Sequence, residues 1–290
     1  MPPRRLLITD LDNTLYDWVG FFAPAFRAMV DELALVLGVE DDRLLEEFKS
    51  VHQRLGSLEQ PFAIFEIESV KRRYPGASPA ELAKALDRPL HRFNSIRKQH
   101  LRLYPGVARS LWRLSEAGVR LVGHTEASAA NAYYRLSRLG IAEHFAHLYT
   151  QSAPEVAHPD PVRQLALAPP AGLVVALDKS QAKPNPRLLE AICGSEHVAV
   201  EDAVFVGDSL AKDVAMAKAA RVRAVWARYG TDVDPSLWEI LVRVTHWTDA
   251  DVAREASARR DAVGITPDDT IDRFDDILEV FGLDPEPVGS

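Results

Sequence analysis

The chain has 290 residues, enough for one large domain or two ordinary ones. Hydrophobic residues make up 47% and charged residues 26%, the balance of a globular protein with a sizeable core, and no apolar run approaches the ~20 residues that cross a bilayer. The net charge of −8 speaks against non-specific binding to nucleic acid, and the single cysteine, Cys193, excludes an internal disulfide and makes a reducing cytoplasm the default setting.

Residues 6–9, Leu-Leu-Ile-Thr, read as a short buried strand that ends at an acidic turn. From about Tyr16 to about Arg102 no strand pattern occurs. Apolar residues there recur at helical spacing, as in Phe22, Phe26, Met29, Val30 and Leu33, and later Leu44, Leu45, Phe48 and Val51. Pro75-Gly76 and Ser78-Pro79 mark turns between helices.

After Tyr104-Pro105-Gly106 helices and strands alternate. Residues 107–117 are helical and stop at Gly118; 119–123 form a β-branched strand; 128–139 are helical. The stretch 153–171 carries five prolines and reads as a long loop, a candidate lid. Strands follow at 203–207 and 222–226, with a helix around 213–220 between them. The region 246–267 is irregular, with an alanine- and arginine-rich helix inside it, and 270–281 reads as a closing strand and helix. Alternation of this kind predicts a Rossmann-like α/β domain with a parallel sheet and helices on both faces. Its first strand is split from the rest by the helical segment. The expected division is core 1–15, helical cap 16–103, and core 104–290 with a C-terminal extension.

Four segments place reactive groups at strand ends, where open α/β sheets bind ligands. Asp10-Leu11-Asp12-Asn13-Thr14 follows the first strand. Its two carboxylates would repel unless a cation or a proton sits between them, although a solvated acidic turn accounts for the same residues. Leu121-Val122-Gly123-His124-Thr125 ends a strand in a hydroxyl before a helix, which suits an anion but also a plain helix cap. In Lys183-Pro184-Asn185-Pro186, Asn185 caps a helix with Pro186 at its first position, so Lys183 either reaches the strand ends or lies exposed. Phe205-Val206-Gly207-Asp208-Ser209, with Asp213 five residues beyond Asp208, offers paired carboxylates to a hard cation such as Mg²⁺.

An acidic pair, a hydroxyl, a lysine and a second acidic pair, in that order, resemble the four motifs of the haloacid dehalogenase-like hydrolase superfamily. The resemblance covers roughly residues 5–15 and 104–245, and the helical segment stands where that family often inserts a cap. It implies Asp10 as a nucleophile that forms an aspartyl-phosphate, and Asp12 as general acid and then base. It implies Mg²⁺ held by the Asp10 and Asp208 carboxylates, the Asp12 backbone carbonyl and Asp213, the last directly or through water. Thr125 and Lys183 would bind the phosphoryl oxygens, and Asn13 and Thr14 join them as candidate substrate-binding residues.

Asp12 also separates subclasses. An alkoxide leaving group needs a proton and a halide does not, and dehalogenases of this family lack an aspartate two residues after the nucleophile. The implied activity is therefore Mg²⁺-dependent hydrolysis of a small-molecule phosphomonoester. The alternatives are a dehalogenase or phosphonatase on the same scaffold, or a non-catalytic phosphate-binding regulatory module. A phosphonatase would need a Schiff-base lysine, and Lys49, Lys71, Lys84 and Lys98 read as surface residues. Glu126 and His124 depart from the family pattern: Glu126 either points away or recognises a substrate group, and His124 reads as a packed residue. Lys179 is a rival to Lys183. Phe22 and Phe26 read as packing, while Tyr16 and Trp18 are open to either packing or substrate.

Overall fold

The computed structural model describes residues 4–55, 59, 61–152, 159–160, 168–244 and 264–284. Seven parallel strands form one sheet: β1 Leu6–Thr9, β2 Arg120–Ser128, β3 His147–Gln151, β4 Val174–Leu177, β5 Ala203–Gly207, β6 Arg223–Ala227 and β7 Asp269–Ile271. Their order across the sheet is β4-β3-β2-β1-β5-β6-β7. The expected parallel α/β fold is present. Two of its strands, β3 and β4, lie outside the five expected. The sequence of β3, His-Leu-Tyr-Thr-Gln, lacks a continuous apolar run, and β4 is a four-residue strand just beyond the proline-rich stretch.

Side chains alternate across the sheet, so each strand feeds two cores. Leu6, Ile8, Val122 and Phe205 face one side, with α8 Pro186–Ser195 and α9 Ala215–Ala219 packed over them. Leu7, Leu121, Leu148 and Val206 face the other, continuous with α6 Val107–Glu116, α7 Ala129–Arg138 and α11 Ile277–Val280. The expected helix around 213–220 starts earlier and less regularly: Leu210–Val214 make a π-helical turn that continues into α9.

The segment between β1 and β2 is helical, as its periodicity predicts: α1 Trp18–Leu37, α2 Asp41–Leu55, α3 Glu68–Arg73, α4 Pro79–Ala85 and α5 Asp87–His100. Asp17 caps α1 by accepting the Gly20 N–H at 2.7 Å, and Ser78 with Glu81 forms a reciprocal capping box on α4. α1 packs chiefly on α5 through Phe22 against Phe93, and on α2 through Phe26 against Phe48. Trp18 stacks on Phe22 at 5.1 Å and Tyr16 is fully buried. The chain leaves and re-enters the sheet layer at one place: Tyr16 pairs with Leu103, and the Tyr104 N–H donates to the Leu15 carbonyl at 3.0 Å. A later helix, α10 Pro235–Val244, lies across α1 and α2, and Arg243 pairs with Asp42 at 2.6 Å. Most of the proline-rich stretch and residues 245–263 lie outside the described residues, so the loop, lid and helix expected there do too. The closing strand and helix at 270–281 appear as β7 and α11.

Candidate active site

From β1 the chain runs outward to β2, β3 and β4, then crosses to β5 on the other side. The direction reverses between β1 and β5, and the crevice at their carboxyl ends is where such sheets bind ligands. Asp10 follows β1 directly and Asp208 follows β5 directly. Asp213 sits on the turn beyond, and its Oδ2 accepts the Ser209 N–H at 3.1 Å. One carboxylate oxygen from each of Asp10, Asp208 and Asp213 lies within 4.8 Å of the others.

Lys183 reaches this cluster from the loop before α8. Its Nζ donates to Asp10 Oδ1 at 2.5 Å and to Asp213 Oδ1 at 2.9 Å, over the Phe205 ring. Asn185 caps α8 by accepting the Leu188 N–H at 3.2 Å, with Pro186 in the first turn, which is what holds Lys183 at the strand ends. The side chain of its rival, Lys179, lies outside the described residues.

Three carboxylates face one ammonium here, and the charges record it. Burial pushes the Asp10 carboxyl up to about 7 against the pull of Lys183, and Asp213 and Asp12 add to the rise. Asp208 is raised well above the usual aspartate range by desolvation, then by Asp10 and Asp213. Burial opposes the charge on Lys183, but Asp10 and Asp213 outweigh it and its value is raised. The deficit is one of positive charge among oxygen donors. A hard divalent cation fits it, with a few carboxylates and water completing its shell.

The loop carrying Asp10 is held from several sides. The Asp10 N–H donates to the Val206 carbonyl at 2.8 Å, and Thr14 Oγ1 donates to Asp10 Oδ2 at 3.4 Å. Asn13 takes a left-handed conformation (φ 56°), and its Oδ1 accepts the Trp18 N–H at 3.1 Å. The segment after β6 closes the other side: the Tyr229 hydroxyl donates to the Thr14 carbonyl at 2.6 Å. Gly230 passes so close that a Cβ there would stand 1.9 Å from the Asn13 carbonyl oxygen. Trp226 Nε1 donates to the Asp208 carbonyl at 2.8 Å.

Asp12 stands apart from the acidic cluster. Its Oδ1 accepts from Arg135 Nη1 at 2.8 Å, and the same guanidinium bonds Glu59 of the helical segment. Neither Arg135 nor Glu59 is marked by a motif. The signal for Arg135 was a charge on the otherwise apolar stripe Ala132, Leu136 of α7.

β2 runs past its expected end at Gly123 as far as Ser128, with a register shift between Thr125 and Ser128. Thr125, which is buried and pairs with Thr150 of β3, is the last paired position before that shift, and its Oγ1 accepts the Ala127 N–H at 3.1 Å. His124 packs against Phe205 at 6.1 Å, and burial, then Lys183, holds its imidazole well below the usual histidine value. Glu126 pairs with Lys212 at 2.8 Å, joining the second and fourth segments across the mouth of the crevice. The four segments singled out by sequence therefore converge on one crevice.

A family model described as haloacid dehalogenase-like hydrolase matches residues 7–167, more than half of the chain. The chain belongs to the haloacid dehalogenase-like hydrolase family. A second model of this kind, HAD-hydrolase-like, matches residues 181–277 and so takes in Lys183, Asp208 and Asp213. Among curated members, glyceraldehyde 3-phosphate phosphatase of Methanopyrus kandleri is 27% identical over 237 residues, covering 80% of this chain and 88% of that one. Solved structures agree on the fold. A 2-haloacid dehalogenase from Pseudomonas syringae pv. tomato DC3000 aligns with a TM-score of 0.57 at 20% identity, over 96% of this chain and 98% of that one. A HAD phosphatase from Thermococcus onnurineus aligns with a TM-score of 0.52 at 18% identity, over 97% and 99%. At such identities the likeness speaks for the family's fold alone. No described helix of this family member is long and apolar enough to cross a membrane.

Proposed function

We propose that the protein is a Mg²⁺-dependent phosphatase that hydrolyses a small-molecule phosphomonoester through an aspartyl-phosphate on Asp10. The observation that carries this reading is the bridge from Lys183 to Asp10 and Asp213 beside a third carboxylate, at the switch point of a parallel sheet. The curated relative named above is a phosphatase, which supports the same reading.

In this scheme an Asp10 oxygen attacks phosphorus and the ester P–O bond breaks. Asp12 gives its proton to the departing oxygen. Asp12 then takes a proton from water, whose oxygen attacks the same phosphorus, and Asp10 leaves as carboxylate. Lys183 and Thr125 receive the phosphoryl oxygens, with Asn13 and Thr14 shaping the loop beneath them. The Asp10 and Asp208 carboxylates and the Asp12 backbone carbonyl would hold Mg²⁺, with Asp213 bound directly or through water. The ion would offset the negative charge that otherwise repels a carboxylate from a phosphate dianion. The helical segment 16–103 serves as the cap over the crevice, excludes water and limits substrates to small esters.

Asp12 favours this reading over dehalogenation, since a halide needs no proton. Schiff-base chemistry finds little support, because Lys71, Lys84 and Lys98 are exposed and Lys71 is paired with Glu66, although Lys49, also read as a surface residue, is half-buried on α2. The test is release of phosphate from a panel of small esters with Mg²⁺ by the wild type and by Asp10→Asn. Turnover lost in the variant supports the scheme. Undiminished turnover by pure Asp10→Asn protein, or metal-independent halide release from a 2-haloacid, overturns it.

A further inference from the structure

Arg135 lies on α7, outside all four motif segments, with its side chain 4% exposed. A guanidinium removed from water is costly unless its donors are matched. Here Nη1 meets Asp12 Oδ1 at 2.8 Å and Nη2 meets Glu59. The rings of Phe21 and Tyr16 lie 5.3 Å and 6.0 Å from its carbon centre and close the remaining sides. A leucine or methionine here would leave the buried Glu59 carboxylate unpaired, so one prong of the fork serves the fold. The other prong goes to Asp12, a partly exposed carboxyl that needs no buried partner and to which the proposed reaction assigns proton transfer.

We infer that Arg135 is a positioning residue that holds the Asp12 carboxyl group by Oδ1, so that Oδ2 carries the proton to the departing oxygen. The inference rests on the proposed phosphatase reaction. Asp12 is 24% exposed, and its Oδ1 is held by Arg135. The planar fork aims that bond, because Glu59 anchors one prong and leaves the other a single direction in which to meet Asp12. A lysine at 135 would keep the charge but not a rigid two-sided geometry.

Proton donation matters most when the leaving group is a poor one. A misdirected Asp12 should therefore slow alcohol release from alkyl phosphates far more than release of p-nitrophenolate, which departs unaided, while hydrolysis of the aspartyl-phosphate, where Asp12 is the base, slows alike for both. Arg135→Lys should lower the single-turnover rate of alcohol release from an alkyl phosphate by about 100-fold, with only a small part of that loss in p-nitrophenolate release. Ester affinity, read from the concentration dependence of that single turnover, should stay within about twofold on both, the mark of an interaction made in the transition state. Arg135→Met combined with Glu59→Gln, which removes the guanidinium without leaving a buried carboxylate unpaired, should show the same selectivity. Arg135→Lys combined with Asp12→Asn should be no slower than Asp12→Asn alone.

Thermal unfolding of each variant accompanies the kinetics. Equal losses of single-turnover release on both esters in step with lowered melting temperature, or an additive loss when Arg135→Lys is combined with Asp12→Asn, would make Arg135 a structural residue and overturn the inference while leaving the phosphatase in place. A wild type that turns over no ester of the panel removes the proposed function, and the role of Arg135 with it.

Discussion

The two ends of the sheet each bury a cluster of charge, and they are built on opposite terms. At the amino ends, Glu196 is a lone carboxylate with donors to spare. Arg120 at the start of β2 bonds it, His147 Nδ1 at the start of β3 lies 2.7 Å away, and the Tyr149 hydroxyl donates at 2.9 Å. Burial would raise the Glu196 carboxyl, but these bonds outweigh it and hold it below the ordinary value. At the carboxyl ends, Asp10, Asp208 and Asp213 share Lys183, and Asp10 and Asp208 are pushed up instead. A satisfied cluster stabilises a fold. An under-neutralised one is held in place by the rest of the fold.

The largest expected effect is loss of turnover in Asp10→Asn with secondary structure intact by circular dichroism. Next is the response to metal. If the acidic cluster is short of positive charge, Mg²⁺ at about 100 times its Kd should stabilise the wild type by about 2.7 kcal/mol in thermal unfolding. Asp208→Asn should blunt that gain and, without metal, be at least as stable as the wild type, because it removes one of three crowded carboxylates. A metal-free Asp208→Asn protein much weaker than the wild type would break the contrast between the two ends.

At the other end, Glu196→Gln should cost about 2 kcal/mol by urea unfolding and leave kcat unchanged. The folded-state value of Glu196 lies below the ordinary 4.5. Its contribution is therefore complete above about pH 4.5 and fades as pH falls through the folded value. The stability gap between wild type and Glu196→Gln should shrink below pH 4.5, and a gap constant to pH 3 would show that the charge on Glu196 is not what the cluster holds.

The contrast also explains what could be read from the chain alone. Asp10, Lys183 and Asp208 were legible because strand-end chemistry is local: each stands within a residue or two of an apolar run, a proline or a cap that fixes its place. The helical character of the described residues of 18–100 was legible from spacing. Glu196 and Arg120 are 76 positions apart, and Arg135 and Asp12 are 123 apart. No periodicity carries such pairs, since only the fold brings their elements together. β3 was missed because its short polar-flanked run leans on β2 and β4 for its pairing. β2 was cut short because a strand that bulges at Thr125 looks, residue by residue, like a strand that stops there.

The smallest effect expected is at Glu126, the residue that fits the family pattern least. Its bond to Lys212 at 2.8 Å has the same chemistry as that of Lys183 to Asp213 at 2.9 Å, yet the partners are 40% and 44% exposed against 3% and 3%. Water screens the first pair, while burial largely removes that screening from the second. Glu126→Gln should therefore change stability by no more than about 0.5 kcal/mol in urea unfolding. Lys212 engages Glu126 and gives the carboxylate a reason to lie at the mouth that has nothing to do with the phosphoryl group, so KM on small uncharged-alcohol phosphates should also hold within about twofold. A rise in KM confined to esters of amino alcohols would instead assign Glu126 to recognition of a cationic leaving group, and would make the exposed pair, not the buried one, the seat of specificity.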